Sequence, residues 1–118
     1  MMPYKIEVFY RTGDSFGSRD TSTVLEMEWQ NVENAKKALR RIKEHYKWYK
    51  YENESPWNRD EEVREPDWHK GEKTDATVKL LLDNGNEVKF YAPWCGYFER
   101  LQSAKVFIAE DLDMEFSL

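Results

Sequence analysis

Residues 31–51 read NVENAKKALRRIKEHYKWYKY, and this stretch carries the clearest secondary-structure signal in the chain. Its apolar residues recur at steps of three and four, the spacing of an amphipathic helix with one face on a core. The side-chain oxygen of Asn31 can accept a hydrogen bond from the first helical turn, which makes Asn31 a suitable N-cap. The sequence therefore predicts one long helix over 31–51. Its apolar face consists of Val32, Ala35, Ala38, Leu39, Ile42, Tyr46 and Tyr49.

Stretches on both sides of this helix alternate between apolar and polar residues, as strands with one buried face do. Residues 4–11 predict a first strand and residues 25–29 a second, joined through the polar stretch 12–21 as a long-looped hairpin. Residues 78–82 and 88–90 predict a second hairpin, because Asn84-Gly85 between them favours a type I′ turn and Pro93 ends its last strand. Residues 97–104 predict a short helix, and residues 112–118 a half-buried last strand.

These elements predict an α+β fold, with a mostly antiparallel sheet of about five strands and the long and short helices packed on one face. Their order is ββα, a loop, ββα and a final β. The chain has 118 residues, the length of one domain, so residues 1–118 are interpreted as a single α+β domain. Residues 52–75 are rich in charges and contain Pro56, Pro66 and Gly71, which predicts a long charged connection.

The composition excludes several classes of protein. Apolar residues make up 40% of the chain and charged residues 35%, which does not fit a disordered segment. No apolar run approaches the ~20 residues of a membrane span, and the first residues lack the apolar segment of a signal peptide. We therefore expect a cytoplasmic protein without membrane contact. A single cysteine, Cys95, excludes an internal disulfide and a multi-thiolate zinc site.

Charge is distributed unevenly along the chain. The formal net charge is −5, yet residues 36–50 hold seven Lys or Arg against Glu44 alone, a local +6 that leaves −11 elsewhere. Steps of three and four place five of these cations opposite the apolar face, where they are available to phosphates, an acidic protein or an acidic ligand. The alternative is an ordinary solvated helix face. Double-stranded DNA is disfavoured because the acidic remainder would repel it. The five cations are Lys36, Arg40, Lys43, Lys47 and Lys50.

The polar stretch 11–20 is a candidate anion site. Gly13 and Gly17 expose backbone N–H groups there, between two arginines that can pair with a phosphate or carboxylate. The alternative is a hairpin loop whose polar side chains bond their own backbone while Phe16 tucks onto the core. The candidate ligand-binding residues of this loop are Arg11, Asp14, Ser15 and Arg19.

Motifs that suggest catalysis lack the partners that their chemistry needs. Ser15 sits in a Gly-Asp-Ser block like that of some esterases, but no positioned base accompanies it. Cys95 lies in Trp-Cys-Gly, yet Phe98 stands where a dithiol site needs its second cysteine. His45 has no histidine or carboxylate four residues on. We therefore predict no catalytic residue, no metal ligand and no cofactor.

Aromatic residues cluster at the end of the helix and in the connection after it. Trp48 and Tyr51 fall outside the predicted apolar face, and Trp57 and Trp68 lie among charges. Such rings either stay available to a partner, as Trp and Tyr do at interface hot spots, or pin the connection to the helix. Trp48, Trp57 and Trp68 are therefore candidate partner-binding residues.

Three blocks of the sequence resemble small uncharacterised proteins of tailed bacteriophages. The blocks are YRTGDSFG at 10–17 with Trp29, AKKALRRIKEHY at 35–46 and YAPWCGYF at 91–98. The resemblance implies a protein of the host bacterial cytoplasm that acts on host machinery. It assigns no catalytic or binding residue.

The incomplete catalytic motifs and the uneven charge favour a non-enzymatic binding protein for a protein or a small anionic ligand. A second hypothesis is a module for single-stranded nucleic acid or a nucleotide, with the helix cations beside Trp48 or Tyr51 as stacking platforms. The third is a small hydrolase that uses Asp14, Ser15 and Arg19. A homo-oligomer formed through the C-terminal strand or an open hairpin edge is also consistent with the pattern.

Overall fold

The computed structural model describes residues 3–53, 63–69, 77–95, 99–108 and 111–117, and these residues form an α+β fold. A four-stranded antiparallel sheet has the order β2-β1-β5-β6, and β3 and β4 form a separate antiparallel pair. The elements are β1 (Tyr4–Asp14), β2 (Gly17–Val24), α1 (Val32–Asn53), a 3₁₀ turn (Asp67–His69), β3 (Thr77–Leu81), β4 (Glu87–Tyr91), β5 (Arg100–Ile108) and β6 (Asp111–Ser117).

The core lies between the four-stranded sheet and a layer formed by α1 and β3. Ile6 and Val8 of β1 are fully buried, and α1 contacts β1, β3 and β5. Trp29 and Trp94 are also fully buried and are the largest side chains of this core. The prediction of a long helix on an antiparallel sheet is confirmed, but the strands divide into two sheets.

The first hairpin differs from the prediction. β1 continues to Asp14, Ser15 and Phe16 form a tight turn, and β2 occupies 17–24, which overlaps the predicted loop 12–21 and precedes the predicted strand 25–29. β2 is an edge strand in the described sheet, and most of its side chains are exposed, so it needs few apolar residues. The alternation at 25–29 correctly predicts burial of Leu25 and Trp29, although this segment leaves the ladder after β2.

The second hairpin is confirmed, with a different turn. Leu81 pairs with Glu87, and the N–H of Leu82 donates to the carbonyl of Asn86 (2.9 Å), which leaves a loop of three residues. Gly85 closes this loop at a φ of +88°, in the left-handed region that favours glycine. A three-residue loop with a left-handed third residue therefore replaces the predicted two-residue type I′ turn.

The predicted short helix at 97–104 is wrong, since residues 100–108 form strand β5. β5 lies between β1 and β6 and pairs with both, so long-range hydrogen bonding outweighs the local helical spacing. The predicted last strand is confirmed as β6. Of the predicted connection 52–75, the structure describes the end of α1 and residues 63–69, and the remainder lies outside the described residues.

Asp83, in the turn of the second hairpin, ties that hairpin to the start of α1. Its carboxylate accepts hydrogen bonds from the Gln30 backbone N–H (2.5 Å) and the Asn34 side-chain amide (2.6 Å). Burial alone would raise the pKa of Asp83, but the hydrogen bonds from Asn34, Gln30 and Asn31 outweigh it and hold the pKa below its usual value. The carboxylate also lies at the positive end of the helix dipole.

Replacing this carboxylate should weaken the fold in a pH-dependent way. Asp83→Ala is expected to lower the free energy of unfolding by about 1–2 kcal/mol at pH 7, because the Gln30 N–H and the Asn34 amide lose their charged acceptor. A lowered native pKa stabilises the fold above the unfolded pKa of about 3.9, and this contribution disappears as pH falls through the native pKa. Urea unfolding of both proteins should show their difference shrinking below about pH 4. A difference that stays constant in acid would contradict this role.

Candidate functional site

The candidate site is the outer face of α1. Asn31 caps this helix as predicted, because its side-chain oxygen accepts a hydrogen bond from the Glu33 backbone N–H (2.8 Å). The buried face follows steps of three and four and holds Ala35, Ala38, Ile42, His45 and Trp48. The opposite face carries the predicted cations, here called the basic face: Lys36, Arg40, Lys43, Lys47 and Lys50.

Most of the basic face is exposed. Arg40, Lys43, Lys47 and Lys50 are exposed, and Lys36 is half-buried with its Nζ 3.6 Å from a carboxylate oxygen of Glu33. The helix has 22 residues and is therefore ~33 Å long, at ~1.5 Å per residue. The structure thus presents these cations as one row on a single rigid element.

The neighbouring Arg41 belongs to the interior instead. Its guanidinium donates to the carbonyl of Lys79 in β3 (3.2 Å), lies 3.4 Å from a carboxylate oxygen of Glu87 and stacks 5.2 Å from the centre of the Trp68 ring. Arg41 therefore joins α1 to both the second hairpin and the segment 63–69. This contact fixes the rotation of α1 and so the direction of its basic face.

Beneath the C-terminal half of α1 lies an aromatic cluster of His45, Trp48, Tyr49, Trp68 and His69. The His69 ring centre lies 4.5 Å from that of Trp68, 5.0 Å from that of Trp48 and 5.5 Å from that of His45. The Trp68 indole N–H donates to a carboxylate oxygen of Glu44 (3.0 Å). The 3₁₀ turn is thereby attached to α1 through its rings and one hydrogen bond.

His69 is 3% exposed and held in one orientation. Its Nδ1 lies 3.0 Å from a carboxylate oxygen of Glu65. A carboxylate can only accept, so Nδ1 carries the proton. The opposite ring nitrogen, Nε2, is buried and has no hydrogen-bond partner among the described residues. The rings of Trp48, Trp68 and His45 pack against the imidazole, so this histidine lies in the interior and not at the solvent-exposed surface.

The cluster changes the interpretation of the candidate tryptophans. Trp48 is 6% exposed, because the buried arc of α1 is wider than the predicted one and includes His45 and Trp48. Trp68 is half-buried against Arg41 and His69, so it supports the alternative in which the connection is pinned to the helix. Trp57 lies outside the described residues.

The contact between His45 and His69 was not predicted from the sequence. One available signal was the three-residue step from Ile42 to His45 and from His45 to Trp48, which places all three on one helical face. No local pattern linked this face to His69, which lies in a different element.

The predicted anion loop is a hairpin tip that binds its own carboxylate. The Phe16 and Gly17 backbone N–H groups donate to Asp14 Oδ1 (2.9 and 3.2 Å), so Asp14 occupies the donors proposed for a ligand. This agrees with the alternative hairpin-loop interpretation, except that Phe16 is 96% exposed and does not tuck onto the core. Ser15 is exposed in the turn.

The two arginines of this loop lie on different faces of the sheet. The buried residues of β1 are even-numbered and side chains alternate along a strand, so Arg11 lies on the sheet face opposite α1. Its Nε donates a hydrogen bond to Asp20 (3.2 Å). Arg19 is exposed on β2 opposite Thr12. Arg11 and α1, which carries the basic face, therefore lie on opposite sides of the sheet.

The two glycines of the tip differ sharply in the space around them. A Cβ on Gly13 would lie 2.2 Å from the Gly17 carbonyl oxygen, whereas a Cβ on Gly17 would meet nothing within 4 Å. Gly13→Ala should therefore cost about 1–3 kcal/mol of unfolding free energy, as overpacking against backbone does. Gly17→Ala is the matched control and should stay within about 0.5 kcal/mol. Equal urea midpoints for the two variants would argue against this close approach.

The described residues include no group of three or more His, Cys, Asp or Glu placed to hold a metal ion. Within the same residues, no helix is long and apolar enough to cross a membrane. No protein-family model, curated protein or solved structure matches the chain.

Proposed function

We propose that the protein is a non-enzymatic binding protein whose basic face engages an acidic surface of a partner protein. The single observation that carries this proposal is the row of exposed cations on one 22-residue helix, Arg40, Lys43, Lys47 and Lys50. Opposite charge on a partner would steer the encounter and set the orientation of the complex.

The support beneath the helix favours binding with little rearrangement. Arg41, Trp68 and His69 fix α1 from its inner side, so the cations are displayed without a folding step. Preorganised surfaces lose less conformational entropy when they bind. The resemblance to small phage proteins makes a bacterial host protein the class of partner to seek.

An acidic protein fits better than a nucleic acid. The net charge of −5 would oppose a long polyanion. Single-strand binding also needs rings on which bases stack. Trp48 is buried, while Tyr51 and Trp68 are half-buried, so no described ring beside the basic face is fully open. Phe16 and Tyr91 are exposed but lie on other elements.

Neutralising the basic face should remove partner binding without unfolding the protein. We expect the triple variant Arg40→Ala, Lys43→Ala, Lys47→Ala to lose partners that wild-type protein captures from bacterial lysate, identified by mass spectrometry. The matched control replaces three exposed cations outside this face by alanine, Arg64, Lys89 and Arg100. Both variants change the net charge by the same amount, so nonspecific electrostatics affect both equally.

Two results would contradict the proposal. One is capture that survives in the basic-face variant, and the other is equal loss in both triple variants. Circular dichroism of each variant checks that the fold is kept. Titration with an oligothymidine at ~50 mM salt, where phosphate contacts are strong, tests the nucleic-acid alternative. Tight binding there that weakens steeply with salt would favour that alternative over a protein partner.

A further inference from the structure

Two apolar features of the β1–β2 hairpin are left uncovered in the monomer. Phe16 at its tip is 96% exposed, and Val24 at the other end of β2 is 43% exposed. Val24 also lines a groove of about 470 Å³ between residues 23–27 and β4, beside Tyr91, which is 68% exposed. Val24 and Tyr91 thus form one exposed apolar patch beside the groove, and contiguous patches of this kind mark interaction surfaces.

Between these features runs an open strand edge. In the described part of the chain β2 pairs with β1 alone, so β2 ends the sheet. The Leu25 N–H donates to the carbonyl of Ile6, which places the N–H groups of the odd-numbered residues toward β1. In an antiparallel ladder hydrogen-bonding direction alternates, so the N–H groups of Ser18, Asp20, Ser22 and Val24 point outward.

A second copy of β2, antiparallel to the first, can pair with this open edge. One register of that pairing also brings the exposed apolar residues of the two copies together. Directly opposed residues of two paired strands have their side chains on the same face of the sheet. A two-fold axis normal to the sheet and centred on an even-numbered residue therefore pairs even-numbered residues with even-numbered residues. With the axis at Asp20, Ser18 lies opposite Ser22 of the second copy. Phe16 belongs to the turn that precedes β2, so the same register brings its ring next to Val24, which lines the groove of the second copy.

We propose that the protein forms a symmetric dimer by antiparallel pairing of β2 with β2, in which each Phe16 packs on Val24 and the groove of the other copy. The occupant of the groove is thus a second copy of this chain. The result is one continuous eight-stranded sheet, and the interface is isologous, since each surface contacts its own equivalent.

The register also accounts for the polar centre of the interface. The two Asp20 carboxylates would lie opposite each other, which is unfavourable for bare like charges. Each carboxylate accepts hydrogen bonds from Arg11 Nε and from the Gln102 side-chain amide, both at 3.2 Å. These donors offset the repulsion. The interface is small, so we expect a dissociation constant of roughly micromolar to tens of micromolar.

Sedimentation equilibrium over a range from about 1 to 200 μM tests the dimer. Wild-type protein is expected to dimerise, and Phe16→Ala to weaken dimerisation roughly tenfold to hundredfold because it removes the buried ring. Ser22→Pro removes an outward N–H without touching the ladder to β1 and should be monomeric. Ser22→Ala keeps that N–H and should dimerise as wild type does. A wild-type monomer at 200 μM, or dimerisation unchanged in Phe16→Ala, would overturn the proposal.

Disulfide trapping tests the register. Asp20→Cys places two thiols opposite each other across the axis, with Cα atoms ~5.5 Å apart, within reach of a disulfide. The matched control is Ser22→Cys, whose two copies lie about 13 Å apart along the strands, too far to bridge. Under a mild oxidant the first should cross-link rapidly and the second should not. The wild-type chain, with its buried Cys95, is the blank. Equal cross-linking of both variants would overturn this register.

Discussion

Trp29→Ala is expected to lower the free energy of unfolding by about 3–5 kcal/mol, the range found when a large buried aromatic is truncated. Trp29 is fully buried and touches two parts of the fold. Its indole N–H donates to the carbonyl of Leu81 (3.0 Å), and its backbone pairs with Tyr4 of β1. A loss of this size is a large fraction of the 5–15 kcal/mol that stabilises typical proteins.

Trp29→Phe separates packing from hydrogen bonding. It keeps an aromatic ring in the core but leaves the Leu81 carbonyl without its indole donor, so we expect a smaller loss of about 1–2 kcal/mol. Urea unfolding followed by circular dichroism measures both variants, and an unchanged slope shows that the same surface is exposed. A loss below 1 kcal/mol in Trp29→Ala would mean that the two sheets do not depend on this side chain.

Trp68→Ala is expected to lower the free energy of unfolding by about 2–3 kcal/mol, less than Trp29→Ala because Trp68 is only half-buried. The change removes the ring on which Arg41 stacks, the partner of His69 and the donor to Glu44. Residues 63–69 should therefore become more sensitive to limited proteolysis, since their attachment to α1 depends on these contacts.

The conservative replacement Trp68→Phe is the control for this attachment. It keeps a ring for Arg41 and His69 but loses the hydrogen bond to Glu44, so about 0.5–1.5 kcal/mol should be lost. Proteolysis at 63–69 should stay close to wild type. If Trp68→Ala left both stability and proteolysis unchanged, the ring would be available for a partner, as the binding hypothesis for Trp68 first suggested.

The elements that could be predicted from the sequence are those with a local signal. Each of these signals depends on residues that are close together in the chain. They are the three- and four-residue spacing in α1, the capping by Asn31 and the turn residues around Gly85. The same spacing predicted the basic face, because opposite faces of one helix follow from its period.

Predictions from the sequence were wrong where residues distant in the chain determine the structure. Residues 97–104 have helical spacing, yet β5 is a strand because β1 and β6 pair with it on both sides. The polar stretch 12–21 resembles a loop, yet part of it forms β2 along the edge of β1. The packing of His69 against His45 depends on where the segment 63–69 returns to the helix, which no residue of α1 encodes locally.

The position of β5 in the sheet also determines the order in which the chain can fold. β1 pairs with β5 through Tyr4 opposite Ile108, about a hundred residues apart, and contacts of such long range slow folding. During synthesis the first hairpin and α1 emerge well before β5, so one edge of β1 stays exposed and able to pair with other chains. Folding should therefore be limited by the joining of β1 to β5, and aggregation of the nascent chain should compete at that step.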